Sequence, residues 1–460
     1  MERPNAWKDY QEADLQRIAE IGNEYRDMIS RCKTEREWTR EIVRRLEGNG
    51  YISLEKARKE SRSLAPGDKV YVSIMSKAVL SFYIGKTPLE DGMNIVGAHI
   101  DSPRLDLKQN PLYEDSDLAY GDTHYYGGIK KYQWVARPLA LHGVIAKKDG
   151  SLVDLLIGED ENEPVVGISD LLIHLAQEQM GKKLSEGVAG EDLDLILAGQ
   201  PLPGVEKDSV KAMLLKILLE KYNIAEEDFI SAEIEAVPAG KARDFGLDRS
   251  MILGYGHDDR VCAYAELKAT EAISETPERT CCGMYVDKEE IGSVGATGMQ
   301  ARYLENAVAE ILSLMNDFSE LKVRRALRNS RMLSCDVSAG FDPLYAFAFE
   351  KKNAAYLGKG VCFNKFTGSR GKSGSNDANA EFIGRIRGIM DAHHIHWQTA
   401  ELGKVDVGGG GTIAYICALY GMEVIDSGVP VLSMHAPCEI ISKADLYEAV
   451  RAYHAFMLNA

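Results

Sequence analysis

Four short segments of this chain are apolar almost throughout and run directly into a histidine or an acid. Ile95-Val96-Gly97-Ala98 leads into His99-Ile100-Asp101, and Met284-Tyr285-Val286 into Asp287-Lys288-Glu289-Glu290. Met332-Leu333 leads into Ser334-Cys335-Asp336, and Val431-Leu432 into Ser433-Met434-His435. A strand apolar on both of its faces needs cover on both sides, which is the situation of a central strand in an α/β sheet. Polar residues at the ends of such strands sit where open α/β sheets bind their ligands.

The flanking pattern supports that fold class. Ala6 to Leu46 has helical spacing closed by Gly48 and Gly50, which predicts one long helix or two shorter ones, and Val70 to Tyr83 alternates as strand. After Ser250, helix (260–274), strand (283–286), helix, strand (332–337) and helix alternate. Between them, 107–249 has a different texture. Strand-like pieces with glycine turns are followed by a helical stretch over 169–179, a loop with Pro201 and Pro203, and a helix over 210–222. The expectation is an α/β domain formed by 1–106 and 250–460, interrupted by a smaller, β-rich domain over 107–249.

Composition narrows the partners. With 54 Lys and Arg against 70 Asp and Glu, the net charge of −16 opposes general affinity for nucleic acid or anionic membrane. No apolar run reaches the roughly 20 residues of a membrane span. The charged start of the chain lacks a secretory pattern, and eight cysteines without a C-x-x-C pair fit reduced, mostly buried thiols, so a cytoplasmic location is expected.

Taken singly, each motif has an ordinary explanation. His99-Ile100-Asp101 could be a structural histidine, and Asp258 and Asp259 in His257-Asp258-Asp259-Arg260 could cap the helix that follows. Glu289 and Glu290 could belong to a charged turn, and His435 could be a satisfied core histidine. Asp336 is harder to dismiss, because a carboxylate in an apolar strand end needs a neutralising partner. Together, two histidines and several carboxylates at separate strand ends form the ligand set of a two-metal hydrolytic site. Histidines 393, 394 and 396 lie too close in sequence to converge on one ion and are expected to be solvated.

The strings VGAHIDSPRLDL, HDDR, DKEEIGS, SCDVSAG and LSMHAP, in this order, resemble the aspartyl aminopeptidase family of co-catalytic zinc exopeptidases, in a bacterial-type form. The similarity extends through the N-terminal helices and THYYGGIKKY. It implies a zinc-peptidase-like mixed sheet flanked by helices, with the inserted domain serving dimerisation and covering the site, in a homo-dodecamer acting on short peptides. It also implies two divalent ions, zinc by expectation with manganese or cobalt possible. One ion is assigned to His99, Asp258 and Asp336, the other to Asp258, Glu290 and His435, with Glu289 as general base and Asp101 behind His99.

For substrate the resemblance points to His174, donated from a neighbouring subunit, to Lys365 facing an acidic N-terminal side chain, and to the 408–412 loop with Gly409 and Gly410. Acidic residues are thus the first expectation for specificity. The glycine run departs from the eukaryotic pattern, which keeps open a broad or neutral two-metal aminopeptidase or deacylase. A non-catalytic binding protein of the same fold is the alternative outside the enzymes. It predicts a missing ligand or base, yet all six assigned ligand and base positions are filled.

Overall fold

The structure, a computed structural model, describes residues 3–368 and 371–460. The chain divides into two compact units: Met1–Asp101, Ala242–Met434 and Glu439–Ala460 form the first, and Ser102–Lys241 with His435–Cys438 the second. The limits expected from the sequence, 106/107 and 249/250, lie five and eight residues later than these divisions, and His435–Cys438, expected within the first unit, falls in the second.

The first unit is built on a nine-stranded mixed sheet. Its order from one edge is Ile52–Ser53, Lys69–Ile74, Ala78–Tyr83, Thr280–Val286, Met93–His99, Arg331–Cys335, Glu423–Gly428, Val361–Asn364 and Trp397–Thr399. Met93–His99 lies at the centre, parallel to both neighbours, and all seven of its residues are buried. Period-two alternation explains why this strand is apolar throughout. Val96 and Ala98 enter one hydrophobic core with Leu333, Cys335 and Tyr285. Ile95 enters a second core with Met332, Met284 and Val286. The register pairs Val286 with His99 and Ser334 with Gly97, so these three strands release their chains at the same C-terminal edge.

Two helices, Glu12–Arg31 and Glu35–Gly48, fill the N-terminal stretch. The second begins at Thr34, whose hydroxyl accepts from Glu37 N at 3.3 Å while Glu37 reaches back to Thr34 N, a capping box that ends the first helix by forcing extended backbone between them. His257–Glu271 is buried along almost its whole length and packs on the central strand. A five-stranded sheet in the same unit joins Arg243–Phe245, Met251–Gly254, Glu439–Ser442, Pro430–Leu432 and Ser338–Ala339. Seven cysteines are buried and Cys438 is exposed.

The second unit is β-rich. Its six strands, all antiparallel, run in the order Leu152–Ile157, Leu139–Ala146, Ala232–Pro238, Arg104–Asp115, Leu118–Tyr126 and Leu195–Ala198, with the helix Ser209–Tyr222 alongside. The helix expected over 169–179 is not formed; only Gln177–Gly181 is helical. The Asp170 carboxylate accepts from Leu171 N and Gln179 Nε2 at 2.8 and 3.2 Å, a local alternative to helical hydrogen bonds. Leu171, Leu172, Ile173 and Leu175 are exposed, so no packing within the unit rewards a helix there.

Candidate metal centre

His99 closes the central strand with its ring fully enclosed. Its Nδ1 lies 3.1 Å from the Asp101 carbonyl and 3.3 Å from Asp101 Oδ1. A proton on Nδ1 satisfies both and leaves the Nε2 lone pair facing the other way. There Nε2 has no hydrogen-bond partner among the described residues, and it lies 3.2 Å from Asp258 Oδ1 and 3.8 Å from Glu289 Oε2. Burial opposes charge on this ring, but the carboxylates of Asp101 and Asp258 outweigh it and push its pKa well above the ordinary value, so a second proton or another cation at Nε2 answers their charge.

Asp101 has a second task. Its two carboxylate oxygens accept the backbone N–H groups of Glu289 and Glu290, each at 3.2 Å. One buried carboxylate therefore holds both the imidazole and the short 3₁₀ turn Glu289–Ile291. Left-handed residues bracket that turn, Lys288 at φ 68° and Gly292 at φ 92°. The chain thereby leaves strand Thr280–Val286 sharply enough to present both glutamates at the sheet edge.

Asp258 sits at the start of its helix with φ −78° and ψ 110°, outside helical values, and its N–H donates to Glu439 Oε2 at 3.0 Å. Its carboxylate faces His99, with Oδ1 3.2 Å from Nε2. Asp336, just past Arg331–Cys335, is pushed well above the ordinary carboxylate range by its enclosure and by the charges of Asp258 and Glu289. Donor atoms of His99, Asp258 and Glu290 lie within 4.8 Å of one another, and so do those of His99, Glu289 and Asp336. Mutually repelling carboxylates around an imidazole lone pair fit one or more divalent cations, and nitrogen with oxygen donors suits zinc.

His435 falls in the second unit, where its Nδ1 donates to the Gly128 carbonyl at 2.8 Å, and the groupings within 4.8 Å do not include it. His174 is in an exposed turn and not on a helical apolar face. Lys365 is exposed, 3.8 Å from Asp377 Oδ1. In the glycine loop, a Cβ on Gly408 would fall 1.5 Å from the Leu402 carbonyl oxygen, and Gly409 adopts φ 136°, so both positions require glycine. The Gly410 carbonyl accepts from Gly368 N at 2.8 Å.

His257 is a structural histidine. Nδ1 accepts from the Tyr25 hydroxyl at 2.7 Å and Nε2 donates to the Ile252 carbonyl at 3.2 Å, while burial pushes its pKa down to about 3. His393 and His394 are exposed, and His396 lies 3.6 Å from Asp9. Three further acids lie near the centre; the sequence marks Asp259 only as a possible helix cap and singles out neither Glu439 nor Asp426. Glu439 orients Asp258, and Asp259 and Asp426 are both buried. Asp426 carried the same signal as Asp336, an acid inside an apolar strand; Glu439 had none locally.

The family model of the aminopeptidase I zinc metalloproteases (M18) matches residues 28–457. The chain belongs to the M18 family. It is thus a metallo-aminopeptidase, a hydrolase of peptides. A probable M18 family aminopeptidase 1 from Clostridium acetobutylicum is 58% identical over 459 residues, covering 100% of this chain and 98% of that protein. The crystal structure of an M18 aminopeptidase from Thermotoga maritima superposes with a TM-score of 0.95 at 45% identity, and that of aminopeptidase I from C. acetobutylicum with 0.93 at 55%; each match covers 100% of both chains. The yeast mApe1 dodecamer shares the fold at 19% identity, with a TM-score of 0.76 and coverage of 95% and 96%.

Proposed function

We propose that this M18 enzyme removes the N-terminal residue of short peptides at a two-metal centre built on His99, Asp258, Glu290 and Asp336, with Glu289 as general base. The supporting observation is the grouping of these donors around His99, from the ends of two strands, a helix start and a 3₁₀ turn. His435 is the remaining expected ligand, and lowered metal content in His435→Ala would support that role. When bound, the ions supply Lewis-acid polarisation of the scissile carbonyl and acidify the attacking water. Glu289 accepts that water's proton and returns it to the leaving amine. Asp101 keeps His99 in the Nδ1–H tautomer and fixes the backbone from which Glu289 and Glu290 project.

The test is Glu289→Gln, which removes the base and keeps the shape. Hydrolysis should fall by about 10²- to 10⁴-fold with metal content unchanged, and retained activity would reject the assignment.

Acidic N-terminal residues are the first expectation for substrate, through Lys365. The Asp377 carboxylate 3.8 Å from its ammonium favours a second reading, broad or neutral specificity, because it offsets part of the charge that would attract an acidic side chain. Comparing Asp-, Glu-, Leu- and Lys-terminal chromogenic substrates decides between them, and faster turnover of Leu than of Asp rejects acid selectivity. Assembly into a homo-oligomer, a dodecamer by analogy with the yeast structure, is supported by the exposed Leu171, Leu172, Ile173, Leu175, Met180 and Leu184 of the second unit, an apolar surface that a second copy would cover.

A further inference from the structure

Within the first unit a cavity of about 690 Å³ is lined by five cationic side chains, Arg3, Lys351, Lys352, Lys359 and Arg387, and by no carboxylate. In a chain with 70 acids against 54 bases this is a marked local reversal of sign. Among the described residues none of the five forms an ion pair within 4.0 Å of a carboxylate oxygen, whereas Lys148, Lys211, Lys365 and Lys372 each do. Of the acids beside the cavity wall, Glu350 accepts from Lys352 N and Asn353 Nδ2, Asp391 from Trp397 Nε1, and the buried Asp445 from Gly358 N and Gly360 N.

Three of the charged heads lie over aromatic rings. The Arg3 guanidinium carbon lies 3.8 Å from the centre of the Trp397 ring, Lys359 Nζ 4.5 Å from that of Tyr356, and Lys351 Nζ 5.6 Å from that of Phe341. An aromatic face steadies a cation without neutralising it. The wall itself is fixed, since Gln398 accepts from Tyr356 N and donates to the carbonyls of Tyr356 and Gly360 at 2.9 to 3.0 Å. Like charges gathered in a concave, rigid site repel one another and are relieved by a multivalent anion.

We propose that this cavity is a binding site for a triphosphate group, separate in its residues from the metal centre. Two guanidiniums offer the forked donors that match phosphate oxygens, and three ammonium groups supply the remaining charge. The group could be carried by a nucleoside triphosphate or be free tripolyphosphate, and its charge of about four matches the cluster better than a single carboxylate or sulfate would.

The experiment is isothermal titration of the metal-loaded, full-length protein with tripolyphosphate, ATP and sulfate, each at a fixed ionic strength of about 0.15 M. Tripolyphosphate should bind with one site per chain and sulfate at least about tenfold more weakly. The triple variant Lys351→Ala, Lys352→Ala, Lys359→Ala should weaken tripolyphosphate by about tenfold or more, as loss of charge-assisted contacts requires. A control removing the exposed Lys56, Lys59 and Lys86 should leave its affinity unchanged. Equal affinity for ATP and tripolyphosphate would identify the triphosphate alone as the recognised group; tighter ATP binding, also lost in the triple variant, would identify a nucleotide. Absence of tripolyphosphate binding, or equal weakening in both triple variants, would overturn the proposal.

Discussion

The Asp101→Asn substitution tests how the proposed metal centre is held together. Asp101 accepts two backbone N–H groups, from Glu289 and Glu290, and faces His99 Nδ1 at 3.3 Å. Asparagine keeps one acceptor oxygen and turns the other into a donor, so one N–H loses its partner and the imidazole loses its anion. A hydrogen bond to a charged group contributes about 1.5 to 3 kcal/mol, and altering the group behind a metal-binding histidine lowers metal affinity by about 10- to 100-fold. At about 1.4 kcal/mol per factor of ten the two estimates agree. Zinc affinity, measured by competition with a chromogenic chelator, should therefore weaken by about 10- to 100-fold, with kcat/KM falling at least as far once zinc is subsaturating. Affinity within about twofold of the wild type in a folded variant would refute the claim that Asp101 organises the centre.

Other consequences concern neighbouring groups. Gly428 abuts the backbone of Asp336, and a Cβ there would stand 1.8 Å from the Asp336 carbonyl oxygen; Gly428→Ala should displace Asp336 and lower kcat/KM by about 100-fold, checked with metal analysis alongside. Burial pushes Asp426 up to about 7 against the opposing hydrogen bond from Thr412. Its folded value lies above the ordinary 3.8, so its contribution to stability is complete at low pH and is lost as pH rises through about 7. Thermal melts of Asp426→Asn should accordingly gain on the wild type between pH 5 and pH 8, and a gap independent of pH would contradict this. Removing metal with a chelator should abolish hydrolysis and lower Tm, and zinc at about 1,000 times its Kd should restore activity and about 4 kcal/mol of stability.

Much of the candidate centre was legible because buried strands leave so few reasons for charge. His99 and Asp336 stand at the ends of strands whose alternate residues enter two different cores, so polarity there needed a purpose. The double role of Asp101 was not legible: H-x-D predicts the imidazole contact, but its hold on Glu289 and Glu290 depends on a parallel strand pairing between residues nearly two hundred positions apart. Glu439 was hidden for the same reason, reaching Asp258 through the pairing of Glu439–Ser442 with Met251–Gly254. The stretch 169–179 misled because helical spacing of leucines serves equally well as an exposed surface for another chain, and nothing in the periodicity separates the two.

Diffraction from crystals of the native enzyme, recorded on both sides of the zinc absorption edge, locates any zinc bound beside His99. Two anomalous peaks per chain are expected, one of them within coordination distance of His99 Nε2 and both bounded by Asp258, Glu290 and Asp336. A single peak, or peaks away from His99, would contradict the proposed two-metal centre.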